Sequence, residues 1–359
     1  MVIFNASKEW VIYVQPEIPG IKKAVDDLVR YISLLSASDG GAFPKVCNPM
    51  GVSGSASAVN YPVITLYSED QDSYRNGFCW RAASERIEIF GESGRGLRNG
   101  IYSFLESLGI SWPCPGQEKI PVQNGKLRLF PLAVNNVNKA SHHIKKEHTA
   151  FPLRRFIPAD KESVMYILKK ADDFIVWAAR QRYDAVIFPF RVFKSKRIAK
   201  KISELKKTAG EYSINIEAGG HELTSLLPRK YFFLHPDYFR MESGRRIRAR
   251  HFCPTSHAAI GIIAKTCGKL FRKVDSDVFH LWPDRGAETV WCSCPSCRAF
   301  LPAEQNRIGV AAAADVLAGI KPNAYITFFE KADEDGNVPL RKNLFGIDEL
   351  PAEIQLPPR

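Results

Sequence analysis

The sequence predicts an α/β protein in two parts: a small N-terminal α/β domain over residues 1–125, and a truncated (β/α)8-type (TIM) barrel over residues 140–359. Three observations lead there. Beyond residue 140 the chain alternates strand-like and helix-like segments, which is the pattern of a parallel sheet. Five or six such units follow one another without a dinucleotide fingerprint, which favours a barrel over a Rossmann sheet. With 359 residues, 45% hydrophobic and 25% charged, the chain has the profile of a globular protein and enough length for two domains.

The N-terminal part opens with a strand at Trp10 to Val14, a helix at Ile21 to Leu35 and a strand at Val63 to Tyr67. Strands at Gly77 to Ala82 and Arg86 to Gly91 follow. Gly94-Arg95-Gly96 then introduces a helix whose Leu97, Ile101, Phe104, Leu105 and Leu108 form one apolar stripe, stopped by Gly109. A Gly-x-Gly lacking a third glycine and a Lys-Ser/Thr pair is a weak phosphate-loop signal. Polar, Pro-containing sequence from 113 to 140 reads as a passage between domains.

The second part reads as a strand at Phe151 to Ile157, a helix at Lys161 to Gln181, a strand at Asp184 to Phe190 and a basic helix over Lys194 to Lys207. A strand at Ser213 to Glu217 leads to Gly219-Gly220-His221-Glu222, followed by a helix at Ala258 to Val274 and a strand beginning at Val278. A helix at Glu304 to Gly319, a strand at Ala324 to Phe329 and a last strand at Ala352 to Leu356 complete the series. Two units of a full barrel are missing. The open parallel edge then needs cover from the N-terminal domain or from a second copy, a homo-oligomer.

No apolar run approaches the roughly 20 residues that span a bilayer, and the N-terminus lacks a signal-peptide pattern, so the expected location is cytoplasmic with no membrane partner. The net charge of +12 raises nucleic acid as a partner. Its excess is concentrated in the helix at Lys194 to Lys207, which has an ordinary apolar face, and in Arg245 to Arg250, an exposed hairpin or loop edge. That distribution is not a continuous basic groove and argues against nucleic acid.

The most informative stretch is Val278 to Cys297, where an apolar strand breaks at Pro283-Asp284 and three cysteines follow. Polar residues just past the carboxyl end of a parallel strand are where such folds keep their chemistry, which makes Asp284 the first catalytic candidate. The plainer reading is a loop aspartate that caps a turn or pairs with Arg285. Cys292, Cys294 and Cys297 are too close together for paired disulfides, and three thiolates need a fourth ligand for tetrahedral Zn²⁺. Cys253 is the natural fourth, with His251 and His257 as alternates, giving one structural zinc. Uncoordinated thiols are the competing reading, because C-x-C-x-x-C is shorter than the usual knuckle pair.

Gly94-Arg95-Gly96, Asn99-Gly100-Ile101-Tyr102, Phe104-Leu105-Glu106, Leu108-Gly109-Ile110 and Trp112-Pro113-x-Pro115-Gly116 together resemble the N-terminal domain of family 67 α-glucuronidases and family 20 hexosaminidases. The second half resembles the barrel of the domain-of-unknown-function family 4838, a glycoside-hydrolase-like group. The residues that carry this are Arg155, Ala179 to Arg182, Gly220-His221, His235 to Phe239, Cys253-Pro254-Thr255, and Asp284 with the three following cysteines. The resemblance implies carbohydrate chemistry and a carbohydrate ligand. Family 20 enzymes carry an Asp-Glu pair at the fourth strand, whereas this chain has Asp284-Arg285, a departure that weakens a hexosaminidase assignment.

Glycoside hydrolysis requires two carboxyl groups across the scissile bond. The strand-end candidates are Asp284, Glu222 and Glu330, with Glu288 behind them and Glu217 inside its strand. His221, after two glycines, is placed to approach a ligand, and Arg155, in competition with Arg154, to grip hydroxyls or a carboxylate. His280, Trp282 and Trp291 form either an apolar sugar platform or core packing. The leading expectation is a glycoside hydrolase. Its rivals are a non-catalytic carbohydrate-binding or scaffold protein and a basic zinc-containing nucleic-acid-binding protein.

Overall fold

A computed structural model provides the fold and describes residues 3–5, 10–14, 18, 20–36, 45–47, 63–68, 77–83, 86–122, 126–128, 143–147, 154–284, 290–329 and 344–347. The first half contains β1 (Ile3–Asn5), β2 (Val11–Val14), α1 (Lys22–Ser36), β3 (Lys45–Cys47), β4 (Val63–Ser68), β5 (Phe78–Ala83), β6 (Arg86–Gly91), α2 (Gly94–Ser107), β7 (Lys126–Arg128) and β8 (His143–Glu147). Six of these strands form a mixed sheet in the order β3-β2-β4-β6-β5-β8. Its first four members run parallel, and β5 is antiparallel to both β6 and β8.

Helix α2 behaves as its sequence requires. Ser93 caps it by accepting from the Gly96 amide at 3.2 Å, and Gly109, at φ +86°, ends it. All five residues of its apolar stripe are buried.

The second half contains β9 (Arg155–Phe156), α3 (Lys161–Lys169), α4 (Ala171–Arg180), β10 (Ala185–Phe188), α5 (Lys196–Glu211) and β11 (Asn215–Gly220). It continues with β12 (Met241–Glu242), β13 (Arg245–Arg246), α6 (His257–Lys273), β14 (Val278–Leu281), α7 (Pro302–Ile320), β15 (Tyr325–Phe329) and β16 (Leu344–Ile347). Strands β9, β10, β11, β14, β15 and β16 form one parallel sheet in chain order, with no reversal of direction. The central residues of β10, β11, β14 and β15 are buried and helices lie between the strands in sequence, the arrangement of repeated βα units.

Two expectations change. The helix expected over Lys161 to Gln181 is two helices broken at Lys170 (φ −116°, ψ 42°), a change of axis that lets Val164, Ile167 and Leu168 of α3 and Phe174, Ile175 and Ala178 of α4 all reach the core. The sixth strand is β16, which the sequence reading did not assign, while the strand expected at Ala352 to Leu356 lies outside the described residues. Among the described residues the parallel sheet has six strands, as many as the sequence reading counted for a truncated barrel.

One apolar cluster runs through both halves, from Trp10 and Ile12 to Ile326 and Phe328. Arg98 of α2, fully buried, crosses between them: its guanidinium donates to Asp184 Oδ1 at 2.9 Å and to the carbonyls of Tyr183 (3.0 Å) and Tyr212 (2.7 Å). Burial lowers its pKa to about 10, against the pull of Asp184. Arg180 grips Asp27 through two 3.0 Å hydrogen bonds, and Arg182 donates to Glu106 at 2.6 Å. The buried Arg98–Asp184 pair and the two partly buried pairs thus fix the register of one half against the other.

Candidate active site and cysteine cluster

The ends of β11 and β14 set the geometry. Gly219 and Gly220 have φ +122° and +118°, a conformation L side chains rarely adopt, and a Cβ on Gly219 would sit 2.1 Å from the carbonyl oxygen of His280. Only glycine permits the two strands to approach so closely. Beyond them Trp282 N donates to Gly220 O at 3.1 Å and Leu223 N donates to Trp282 O at 3.2 Å, so both chain ends turn outward together.

This turn brings His221 and Glu222 from one strand beside Pro283 and Asp284 from the next. His221 Nδ1 donates to the Pro283 carbonyl at 2.7 Å, which assigns the proton to Nδ1. The Thr224 hydroxyl donates to Asp284 Oδ1, and Arg229 donates to Thr224 O at 2.5 Å with its charge acting on Asp284. Glu222 Oε2 accepts the amide of Phe190, just past the end of β10. Burial raises the Glu222 pKa above the ordinary glutamate value, with the Phe190 amide and Arg191 opposing.

Beneath this mouth lies a continuous buried polar chain. Arg155 Nε donates to Glu217 Oε2 at 2.8 Å, and His280 Nε2 lies 2.8 Å from the same oxygen. His280 Nδ1 lies 2.6 Å from Thr327 Oγ1, which accepts from Trp282 Nε1 at 3.0 Å. Because the indole only donates, the Thr327 hydroxyl is free to donate to His280 Nδ1, which makes Nε2–H the donor to Glu217. Against the desolvation of full burial, Arg155 and His280 hold the Glu217 carboxyl at about 2. Burial likewise pushes the His280 pKa below its ordinary value, keeping the ring neutral.

The four cysteines Cys253, Cys292, Cys294 and Cys297 converge, all at most 3% exposed and with their sulfurs within 4.8 Å of one another. Cys253 Sγ is 3.8 Å from that of Cys294 and 3.6 Å from that of Cys297. Tetrahedral Zn–S bonds of ~2.3 Å place sulfurs about 3.8 Å apart, so the spacing suits a four-thiolate ion. Supporting groups are present as well. Met241 N donates to Cys292 Sγ at 3.2 Å, and the Gln305 amide bonds to Cys292 N and O, Cys297 O and Phe300 O. The Cys253 thiol is held down at about 4, first by a hydrogen bond from Cys292 and, against burial, by Thr255. His251 and His257 are not part of the group; His251 stacks on Trp291, 4.1 Å between centroids.

The structure therefore places His221 against Pro283 and Asp284 against Thr224, at adjoining strand ends, while the Glu222 carboxyl turns to the Phe190 amide past β10. Arg155, His280 and Trp282 lie together below these strand ends; His280 and Trp282 are fully buried and their polar atoms are engaged with one another's partners. Trp291 packs on His251 and Phe252 and is 6% exposed, which is core packing and not a platform. Glu330 and Glu288 lie outside the described residues. Sequence reasoning missed Thr224, Arg229, Thr327 and Gln305, none of which carries a motif of its own. Only inward alternation along β11, β14 and β15 could have pointed to the buried chain.

No family model matches the chain, and no curated protein matches it in sequence. Solved structures do. A chitobiase of Flavobacterium johnsoniae aligns with TM-score 0.50 and 12% identity over 96% of this chain and 52% of that one. A β-N-acetylhexosaminidase of Bacteroides fragilis aligns at 0.44 and 13%, over 96% and 66%, and an exo β-N-acetylglucosaminidase of Vibrio harveyi at 0.46 and 11%, over 96% and 54%. The chain thus spans less than two thirds of each. At these identities the likeness concerns the fold alone, and the chitobiase alignment carries it: the fold is similar to that of the chitobiase over about half of that chain's length. No helix among the described residues is long and apolar enough to cross a membrane.

Proposed function

We propose that this chain is a carbohydrate-active protein of glycoside-hydrolase type, of the family-4838 kind, built as an N-terminal α/β domain and a (β/α)8-type barrel domain. What supports this reading is that two carboxylate residues, Glu222 and Asp284, follow directly on the carboxyl ends of the neighbouring parallel strands β11 and β14. Glu222, with its raised pKa, acts as the general acid that protonates the leaving oxygen. Asp284, oriented by Thr224, faces the anomeric carbon as the base or nucleophile. His221, fixed by the Pro283 carbonyl, binds a sugar hydroxyl through its second nitrogen. Arg155, Glu217 and His280 position this mouth from below.

The four cysteines hold one structural Zn²⁺ that pins the loops beyond β11 and β14, and four reduced thiols accord with a cytoplasmic setting. Hydrolysis of a panel of 4-nitrophenyl glycosides tests the enzymatic reading, with Glu222→Gln and Asp284→Asn as controls. Retained sugar binding without turnover in the parent protein favours the non-catalytic alternative.

A further inference from the structure

The 22 residues from Arg229 to Arg250 leave the sheet beyond β11 and return just before Cys253. They hold seven lysines and arginines against two acids, Asp237 and Glu242, a net of +5 out of the chain's +12. Phe233 and Leu234 stand side by side, 74% and 80% exposed. Arg248 lies over the Phe233 ring at 5.1 Å, Lys230 over Tyr231 at 5.8 Å, and His235 stacks on Tyr238 at 4.6 Å. Adjacent large apolar side chains kept in water beside cations mark a surface made for contact.

This surface is held in shape. Arg229 donates to Arg248 O at 3.1 Å, Arg246 to Phe239 O at 2.7 Å, and Cys253 N to Tyr238 O at 2.8 Å; Ser293 N donates to Met241 O at 2.9 Å from the cysteine loop. Long loops tied down this thoroughly are preorganised, so binding loses little ordering entropy. At its root the rim touches the proposed active site, through Arg229 on Thr224 and Thr224 on Asp284.

We propose that the Arg229–Arg250 rim binds an anionic polysaccharide, a sugar chain bearing carboxylate or sulfate groups, whose end reaches the Asp284 mouth. The proposal rests on the carbohydrate reading of that mouth. The apolar faces of pyranose rings fit the Phe233 and Leu234 surface, and the planar forks of Arg248 and Arg245 pair bidentately with carboxylate or sulfate oxygens. A nucleic acid, charged at every step, would have to run toward Asp284 and Glu222. An oligosaccharide can leave the sugar at the mouth uncharged.

The test is calorimetric titration of the full chain, at low salt, with a galacturonic acid hexamer, a sulfated heparin hexasaccharide, neutral chitohexaose and oligothymidylate. The expected result is that at least one anionic sugar binds tenfold or more tighter than chitohexaose and the oligonucleotide, and that Phe233→Ala combined with Arg248→Gln removes at least tenfold of that affinity. The preferred anion identifies the group, carboxylate or sulfate. Both side chains are at the surface, and unchanged thermal unfolding verifies that the double variant is folded. Equal binding of neutral and anionic sugars, indifference to the double substitution, tighter binding of oligothymidylate, or a change of oligomeric mass in the variant overturns the proposal. Equilibrium binding is independent of turnover: anionic binding without hydrolysis sinks the enzymatic reading alone, and hydrolysis without anionic preference sinks the rim alone.

Discussion

The hydroxyl of Thr224 donates a hydrogen bond to Asp284 Oδ1 and so ties the loop after β11 to the loop after β14. Thr224→Val keeps the shape and removes that donor. Because Asp284 keeps contact with water, stability should change by about 1 kcal/mol or less, while the loss of orientation should lower turnover about tenfold, roughly 1.4 kcal/mol. Urea unfolding and steady-state hydrolysis check the two numbers, and a large stability loss with unchanged turnover would mean that the contact is structural only.

The Gly219–Gly220 pair gives a comparison within one turn. Gly219→Ala drives a methyl group to 2.1 Å from His280 O, whereas at Gly220 the space is open and only the φ of +118° opposes a side chain. The first substitution should cost about 3 kcal/mol or more and the second about 1–2 kcal/mol. Equal losses would show that the close approach of β11 to β14 is not what demands glycine.

Glu217 and His280 make stability depend on acid. Both have folded pKa values below their ordinary ones, so each binds its proton more readily in the unfolded chain, and their stabilisation is present at neutral pH. As pH falls, His280 withdraws its share from about 6.5 downward, and Glu217 its share from about 4.3 toward about 2. Glu217→Gln leaves the Arg155 guanidinium buried beside a neutral amide, which should cost about 3–5 kcal/mol at pH 7 and flatten the acid limb below about 4.3. Unfolding free energies measured from pH 7 to pH 3 decide this, and an unchanged acid limb in the variant would rule it out.

Zinc content is predicted at about one ion per chain in protein prepared without chelator, falling below about one half in Cys292→Ser. Stripping the ion should lower the unfolding midpoint by roughly 10 °C, several kcal/mol at ~3 °C each. Zinc-free protein of unaltered midpoint would restore the reading of four uncoordinated thiols.

Much of the fold could be read locally. Helix α2 announced itself through Gly94-Arg95-Gly96, its apolar stripe and Gly109, and the strands of the parallel sheet through short apolar runs between helical patterns. Cys253 could be paired with the later cysteines because three clustered thiols lack a fourth ligand. What stayed hidden depends on register. Arg155, Glu217 and His280 meet only because β9, β11 and β14 stand in one sheet at a particular stagger, and each residue alone looks like a site residue or a core residue with equal ease. Thr224 and Arg229 escaped for a similar reason, since their partner Asp284 lies some 60 residues away in the chain. The break at Lys170 has no glycine or proline to signal it.

The central claim is that Glu222 and Asp284 form the working carboxyl pair, and hydrolysis of the best 4-nitrophenyl glycoside by the parent chain, Glu222→Gln and Asp284→Asn tests it most directly. Because burial raises the Glu222 pKa, the acid form persists to higher pH than an ordinary glutamate allows, and the parent rate should fall as pH rises through that raised value. For a glycoside whose departure needs protonation, each variant should lose about 10²–10⁴-fold in kcat/KM at unchanged folding, and Glu222→Gln should also lose the alkaline limb of the profile. Turnover at the parental rate in either variant, or no turnover by any of the three proteins, contradicts the account.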